Sequence, residues 1–520
     1  MRFEGRSRFT MSRLALMLWT VILMTGVVHA VDRGEGPYHR LVIRGVTVID
    51  GTGAPPYGPV DIVIERDRIS RIIPFDPVSG GDTSKRPTGD RIIEAEGAYV
   101  IPGIMDMHAH LSNRVPRAYI YKLWLAHGVT TVRLVGVGDV PSVLKDKKRS
   151  EGPDLVAPRI FLYGFWREPR ERRDDRYYTP EGARAIVREW KKMGLDGVKM
   201  TGRPGLYPDV LAAITDEAQR LGMGVAVHIG QDGVYPMNAV RVAETGVTTI
   251  EHHYGYAEAA LSERTVQNLA ADYNYLDEKA RFRVTAAVWL EADLNKLMGP
   301  VLERLVSLSR QGEFTMDPTF AVYEANRNLA RAQNLPWHQD FTHPALMEAW
   351  LPNPRLHATY HFAWTSMDEA LWAQMFRRWM TFVNAFKNRG GHVTVGSDPG
   401  YIYQTYGFGT IREMELLEEA GFHPLEVIRS ATQEGARVLK RSDMGILRPG
   451  YRADLVIVTE NPLNDLKVFY GTGLIRYTEK GEKVSRPGVL YTIRNGVVFD
   501  AQALLKDIRT IVADAKKTKD

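Results

Sequence analysis

The sequence predicts an α/β protein: a (β/α)8 TIM barrel with a small β-sandwich formed jointly by both chain ends. Three observations carry this. Short β-rich runs alternate with helical patterns from residue 99 to residue 398, which is the texture of a parallel sheet with crossover helices. Eight such runs can be counted, at 99–110, 128–136, 159–164, 196–201, 224–229, 248–253, 313–322 and 392–398, and eight favours a closed ring over an open sheet. No Gly-x-Gly-x-x-Gly follows the first run, which weakens a dinucleotide-binding alternative.

The elements follow in order. Residues 41–52 and 61–74 alternate apolar and polar side chains in places, as half-buried strands do, and 91–98 reads as a third strand. Residues 453–459 and 490–500, the latter with an Asn495-Gly496 turn, have the same character. The expected composite sandwich therefore spans 38–100 and 445–500, the barrel spans 101–444, and 501–520 forms a polar, helix-prone tail. Helical patterns at 180–193, 208–221 and 237–245 alternate with the central runs. One insertion, about 324–380, breaks the rhythm and holds Trp337, Trp350, Trp364, Trp372 and Trp379, five of the ten tryptophans. It reads equally as an extra packing layer and as a wall over the barrel mouth.

A chain of 520 residues is long enough for a large domain and a smaller one. The charged fraction of 25% and net charge of +5 are ordinary, and no basic run interleaved with aromatics points to nucleic acid. The mixed-sign stretch 167–175 reads as a solvated loop. Arg2, Arg6, Arg8 and Arg13, the apolar run 14–28, and small residues at Val28 and Ala30 together read as a signal peptide over 1–30. The expected location is secreted or periplasmic, with no stable membrane span after cleavage; an uncleaved anchor is the alternative. With no cysteine, any metal must be held by nitrogen and oxygen.

The strongest chemical signal is His108-Ala109-His110 at the end of the first run, where residues two apart face the same side. Alone it is weak. Lys199, His228, His252, His253 and Asp398 also fall at strand ends, and the C-terminal face of such a barrel is where active sites sit. His127 and His392, at strand starts, read as structural. His338, His343, His357 and His361 in the insertion read as packing or surface residues rather than a second metal cluster. Arg203, Tyr254 and Tyr323 follow strand ends and are weaker candidates for substrate contacts.

The segments VIPGIMDMHAHL (100–111), HGVTTVR (127–133), DGVKM (196–200), VAVHI (225–229), TTIEHH (248–253) and VGSDPG (395–400), with RSATQEGARVL and LRPGYRADLVIVTENPLNDL in 429–466, resemble the amidohydrolase superfamily. The likeness is greatest to its prolidase-like and imidazolonepropionase-like members and covers roughly 41–466. It implies two divalent metal ions, zinc first among zinc, manganese, cobalt and iron. His108 and His110 match the ligands of the more buried ion, a carboxylated Lys199 the bridging ligand, His228 and His252 the ligands of the second, and Asp398 the last-strand aspartate that binds metal and moves a proton. Two alternatives stay open: an unmodified Lys199 above a single metal, and His253 in place of His252. The implied activity is hydrolysis of a C–N bond in a peptide or N-acyl amino acid by a metal-activated hydroxide. An esterase, lactonase or phosphotriesterase could use the same centre, and a catalytically silent binding protein could use the same fold. A homo-oligomer is compatible with the sequence.

Overall fold

The computed structural model describes residues 33–76, 86–168, 173–202, 205–230, 234, 237–261, 271, 273–274, 277–312, 314–354 and 359–518. The signal segment 1–30, Arg203, His357 and part of the charged stretch 167–175 lie outside them.

Both chain ends enter one sheet. Its N-terminal strands are β1 (Arg40–Val48), β2 (Tyr57–Glu65), β3 (Arg68–Pro74), β4 (Arg91–Glu94) and β5 (Tyr99–Pro102). The barrel strands follow: β6 (Ile104–Ala109), β7 (Val129–Val135), β8 (Arg159–Phe165), β9 (Gly197–Thr201), β10 (Gly224–His228), β11 (Thr249–Glu251) and β12 (Thr315–Asp317). The C-terminal strands are β13 (Leu455–Val458), β14 (Leu474–Tyr477), β15 (Lys483–Arg486), β16 (Val489–Arg494) and β17 (Val497–Asp500).

The end sheet runs β17-β16-β13-β5-β1-β2-β3, with β4 also paired to β1, while β14 and β15 form a separate hairpin. The expected two-layer unit is thus one sheet curled on itself. Ile43 and Val48 of β1, Ile62 and Ile64 of β2, Val100 of β5, Leu455 and Ile457 of β13 and Val498 of β17 close on one aliphatic core. Alternation places Ile62 with Ile64 and Leu455 with Ile457 on one face, the register shifts in β1 bring both Ile43 and Val48 to the same core, and burying each side chain contributes about 1.5–3 kcal/mol. The run expected at 99–110 is divided at Gly103: β5 belongs to the end sheet and β6 to the barrel.

The barrel strands pair in parallel in the order β6 to β12. Segment 392–398 joins the two edges. Met316 N–H donates to His392 O (2.9 Å) and Thr394 N–H to Met316 O (3.0 Å); on the other side Met107 N–H donates to Val395 O and Asp398 N–H to His108 O (both 2.8 Å). The run expected at 313–322 is a strand only to Asp317. Pro318 removes a backbone donor, and a short helix Phe320–Tyr323 follows.

Local signals explain the helices. Thr179 accepts from Gly182 N–H with Pro180 behind it at the start of helix Pro180–Met193, and Gly194 (φ +95°) ends that helix. Thr365 and Asp368 form a capping box on helix Ser366–Asn388, the main element of the insertion. Its Trp372 and Trp379 are fully buried against the barrel, so this part of the insertion is a packing layer. Segment 501–520, read as a tail, contains helix Ala501–Lys517, whose Leu504, Leu505, Ile508 and Val512 are buried. Lys122 of helix Arg117–Ala126 binds Asp507 of that helix at 2.8 Å.

Candidate metal centre

One cavity of about 610 Å3 opens at the C-terminal ends of the barrel strands, and His108, His110, Lys199, His228, His252, Asp398, Tyr254 and Tyr323 all line it. The structure thus brings together every sequence-derived site residue it describes. His253 is the neighbour that turns away. It is fully buried among Tyr254, Tyr323, Trp372 and Trp379, at ring-centroid distances of 4.1–5.6 Å.

Three imidazoles are oriented through Nδ1. His108 Nδ1 meets the Glu251 carboxylate, which is held in turn by Arg133 (3.1 Å) and by the Thr249 hydroxyl. His110 Nδ1 lies 3.2 Å from Gly136 O. His252 Nδ1 lies 2.5 Å from Thr319 Oγ1. A carbonyl and an ionised carboxylate only accept, and the Thr319 hydroxyl donates its proton to Pro318 O at 2.6 Å. Each Nδ1–H therefore donates, and each Nε2 keeps its lone pair. His108 Nε2 stands 3.4 Å from Lys199 Nζ and 3.8 Å from Asp398 Oδ1; His110 Nε2 stands 3.5 Å from the same oxygen. The His228 ring centroid lies 4.5 Å from that of His252, which lies 4.8 Å from that of His108.

Burial first, and then the neighbouring basic groups (Lys199 foremost for His108, His228 for His252), hold both imidazoles well below the ordinary range, which favours their neutral form. Burial also brings the Lys199 amine down to about 8, against the pull of Glu251 and Asp398. Neutral imidazoles with Nδ1 occupied beside a carboxylate make a donor set that fits a divalent cation, with the outer hydrogen bonds fixing ring orientation. Candidate ligand atoms of His108, His110 and Asp398 lie within 4.8 Å of one another. A second grouping, His108 with Glu251 and Asp317, is bridged by the Arg133 guanidinium instead.

Sequence reasoning missed Arg133, Glu251, Asp317, Thr319 and Asp106. All are 0% exposed. Asp106, between Met105 and Met107, and Arg133, between Val132 and Leu134, were visible as charges flanked by apolar strand residues, which is unusual in a sheet covered on both faces. Asp106 accepts from Ser397 N–H (3.0 Å), Ser397 Oγ (2.5 Å) and Thr410 Oγ1 (2.7 Å), which ties β6 to the segment bearing Asp398. Gly396 is required there: a Cβ would stand 2.3 Å from Asp317 Oδ1 and 2.6 Å from His108 Cβ. Eight described non-glycine residues have positive φ; His252, Asp398 and Ile402 among them line the cavity, and Thr319 is bonded to His252 behind it. Backbone strain of this kind, about 1–3 kcal/mol per residue, concentrates at functional sites.

The other described histidines at strand starts and in the insertion make structural contacts. His127 Nδ1 bonds Leu123 O, and His392 pairs with Glu434. His338 bonds Thr342 and Ala332, His343 caps Ala345 N–H, and His361 bonds Asn326.

Comparison with known proteins agrees with this fold. Ochratoxinase of Aspergillus niger is 37% identical over 87 residues, which are 16% of this chain and 18% of that protein's length. The solved structure of a Xaa-Pro dipeptidase with methionine bound in its active site superposes with a TM-score of 0.58 at 21% identity, covering 89% of this chain and 100% of that one. Bottromycin amidohydrolase superposes with a TM-score of 0.60 at 19% identity, covering 92% and 91%. The amidohydrolase family matches residues 99–498, from β5 through every barrel strand to β17, and the chain belongs to that family.

Proposed function

We propose that the protein is a metal-dependent hydrolase of amide bonds, acting on peptides or N-acyl amino acids at a two-metal centre. The observation that carries the reading is the single cavity into which His108, His110, Lys199, His228, His252 and Asp398 project, with three Nδ1 atoms already engaged. These six residues would hold the ions, zinc being the first choice, with Lys199 as a carboxylated bridging ligand. A bound divalent cation supplies a Lewis acid and lowers the pKa of water. Burial favours the neutral Lys199 amine, which is the form that adds carbon dioxide to give a carbamate.

The chain's own groups supply the rest. Asp398 takes a proton from the attacking water and returns it to the departing amine. Tyr254 stacks on His228 (5.1 Å), Tyr323 stands edge-on to His252 (5.6 Å), and both line the cavity, where their phenols would donate to a substrate carbonyl or carboxylate. Arg281 with Phe282, and Arg167 with Phe165, add cationic and apolar wall to the cavity. That lining suits an anionic substrate with an apolar portion. The segment 1–30 supports export to the periplasm or medium, and the secreted chain would begin at Val31 by intact mass.

The test is metal content of protein purified with bicarbonate, alongside hydrolysis of N-acyl amino acids, dipeptides, esters and lactones. Two metals per chain, with amide turnover abolished in Lys199→Ala, support the reading. One metal per chain favours a mononuclear centre with an unmodified lysine. Ester or lactone turnover without amide turnover moves the substrate class, and absence of both metal and turnover leaves a binding protein.

A further inference from the structure

Glu413 has no part in that chemistry, yet it is fully buried and its two oxygens are used. It lies in helix Phe408–Glu419 and accepts from Phe320 N–H (Oε1, 3.0 Å) and Ala321 N–H (Oε2, 2.6 Å). Those are the two residues after Thr319. Thr319 sits in the left-handed region (φ +52°, ψ +47°), a conformation that β-branched residues avoid, so something must hold it there. From that conformation its hydroxyl donates to Pro318 O and accepts from His252 Nδ1. The neighbouring Arg412 grips Glu324 through two nitrogens, at 2.9 and 2.7 Å, at the far end of the same short segment. Between the two grips lie Val322 and Tyr323, both in the cavity wall.

We infer that Glu413 and Thr319 form a positioning relay: the Glu413 carboxylate pins the backbone at 320–321, and the pinned Thr319 hydroxyl fixes the ring plane and tautomer of His252. The inference rests on the proposed reading of His252 as a metal ligand. Helix Phe408–Glu419 follows the barrel-closing segment 392–398, so the relay ties the eighth barrel position to the sixth. Neither residue touches substrate, and both act through His252.

The test is competition for zinc between the full-length protein and a chromophoric chelator. Thr319→Val removes the acceptor while keeping the side-chain shape, and is expected to weaken the more labile zinc by about 10–100-fold. Thr319→Ser keeps the hydroxyl and should restore wild-type binding. Glu413→Gln, or Glu413→Asp if the glutamine variant does not fold, should weaken the same zinc. Combined with Thr319→Val, either should add little further loss, because both changes break one relay. Wild-type zinc binding in Thr319→Val overturns the inference and leaves the proposed function standing. Full additivity in the double variant reduces Glu413 to a packing residue and overturns the relay. A wild-type protein that binds no zinc, manganese, cobalt or iron overturns the metal reading itself, and the relay with it.

Discussion

Two β layers meet at Gly103 and are built by opposite rules. The curled end sheet encloses a core of leucine, isoleucine, valine and alanine alone. The barrel lumen holds Arg133, Glu251 and Asp317 beneath the cavity-lining His108 and Lys199, each at most 1% exposed. In the first layer stability follows buried apolar area and degrades in proportion to the volume removed. In the second, each charge is tolerable only because another stands beside it, so loss of one partner exposes the full cost of burying the other. The aliphatic layer can be re-packed; the lumen is a fixed electrostatic arrangement that holds the His108 ring in place.

Single substitutions in the two layers put that contrast to the test. The largest effect belongs to the cavity: Asp398→Asn should lower kcat by about 10²–10⁴-fold. Its unfolding midpoint should stay near the wild-type value, and an active variant would remove Asp398 from the proton path. Next, Arg133→Met leaves Glu251 and Asp317 without their shared cation and should cost about 3–5 kcal/mol in urea unfolding. Ile62→Val in the end sheet should cost only about 0.5–1.5 kcal/mol. If the two costs prove equal, the contrast fails.

A third prediction concerns pH. Burial holds the His127 imidazole down at about 4, against an ordinary value of 6.5. A depressed value means that the unfolded chain takes up the proton first. The stability tied to neutral His127 is therefore whole above pH 6.5 and shrinks by roughly 1.4 kcal/mol per pH unit as pH falls toward 4. His127→Phe should flatten that part of the stability–pH curve; parallel curves for the two proteins would discard the assignment. The smallest effect is at His253, whose ring nitrogens have no hydrogen-bond partner among the described residues. His253→Phe should leave the unfolding free energy unchanged or raise it by on the order of 1 kcal/mol, read in urea unfolding. A marked fall would show that the aromatic layer requires that imidazole.

Much of this was legible in the sequence because it is local. Strand ends, the His108–His110 spacing and the Gly-Ser-Asp turn at 396–398 are short patterns with a direct geometric meaning. The choice between His252 and His253 was not legible, since it turns on the residue at which β11 stops and the backbone reverses to φ +67°. The supporting network was hidden for another reason. Glu251 lies 143 residues from His108, Thr319 lies 67 from His252, and Glu413 lies 93 from the amide it holds. No window of sequence contains both partners, and only the closed ring places them together. The over-long seventh run was a misjudged period: Pro318 inside it was the signal that the strand had ended.

The hydrogen bond from Asp398 N–H to His108 O that seals the ring has a consequence for how the protein is made. Nearly three hundred residues separate its two ends, so a growing chain carries His108 and His110 for most of its synthesis with no aspartate to face them. Contacts of such long range form late, after the entropy of a very large loop has been overcome. The site is thus assembled at the end of folding rather than at its start, and an ion captured earlier by the histidine pair would be held without Asp398 beside it.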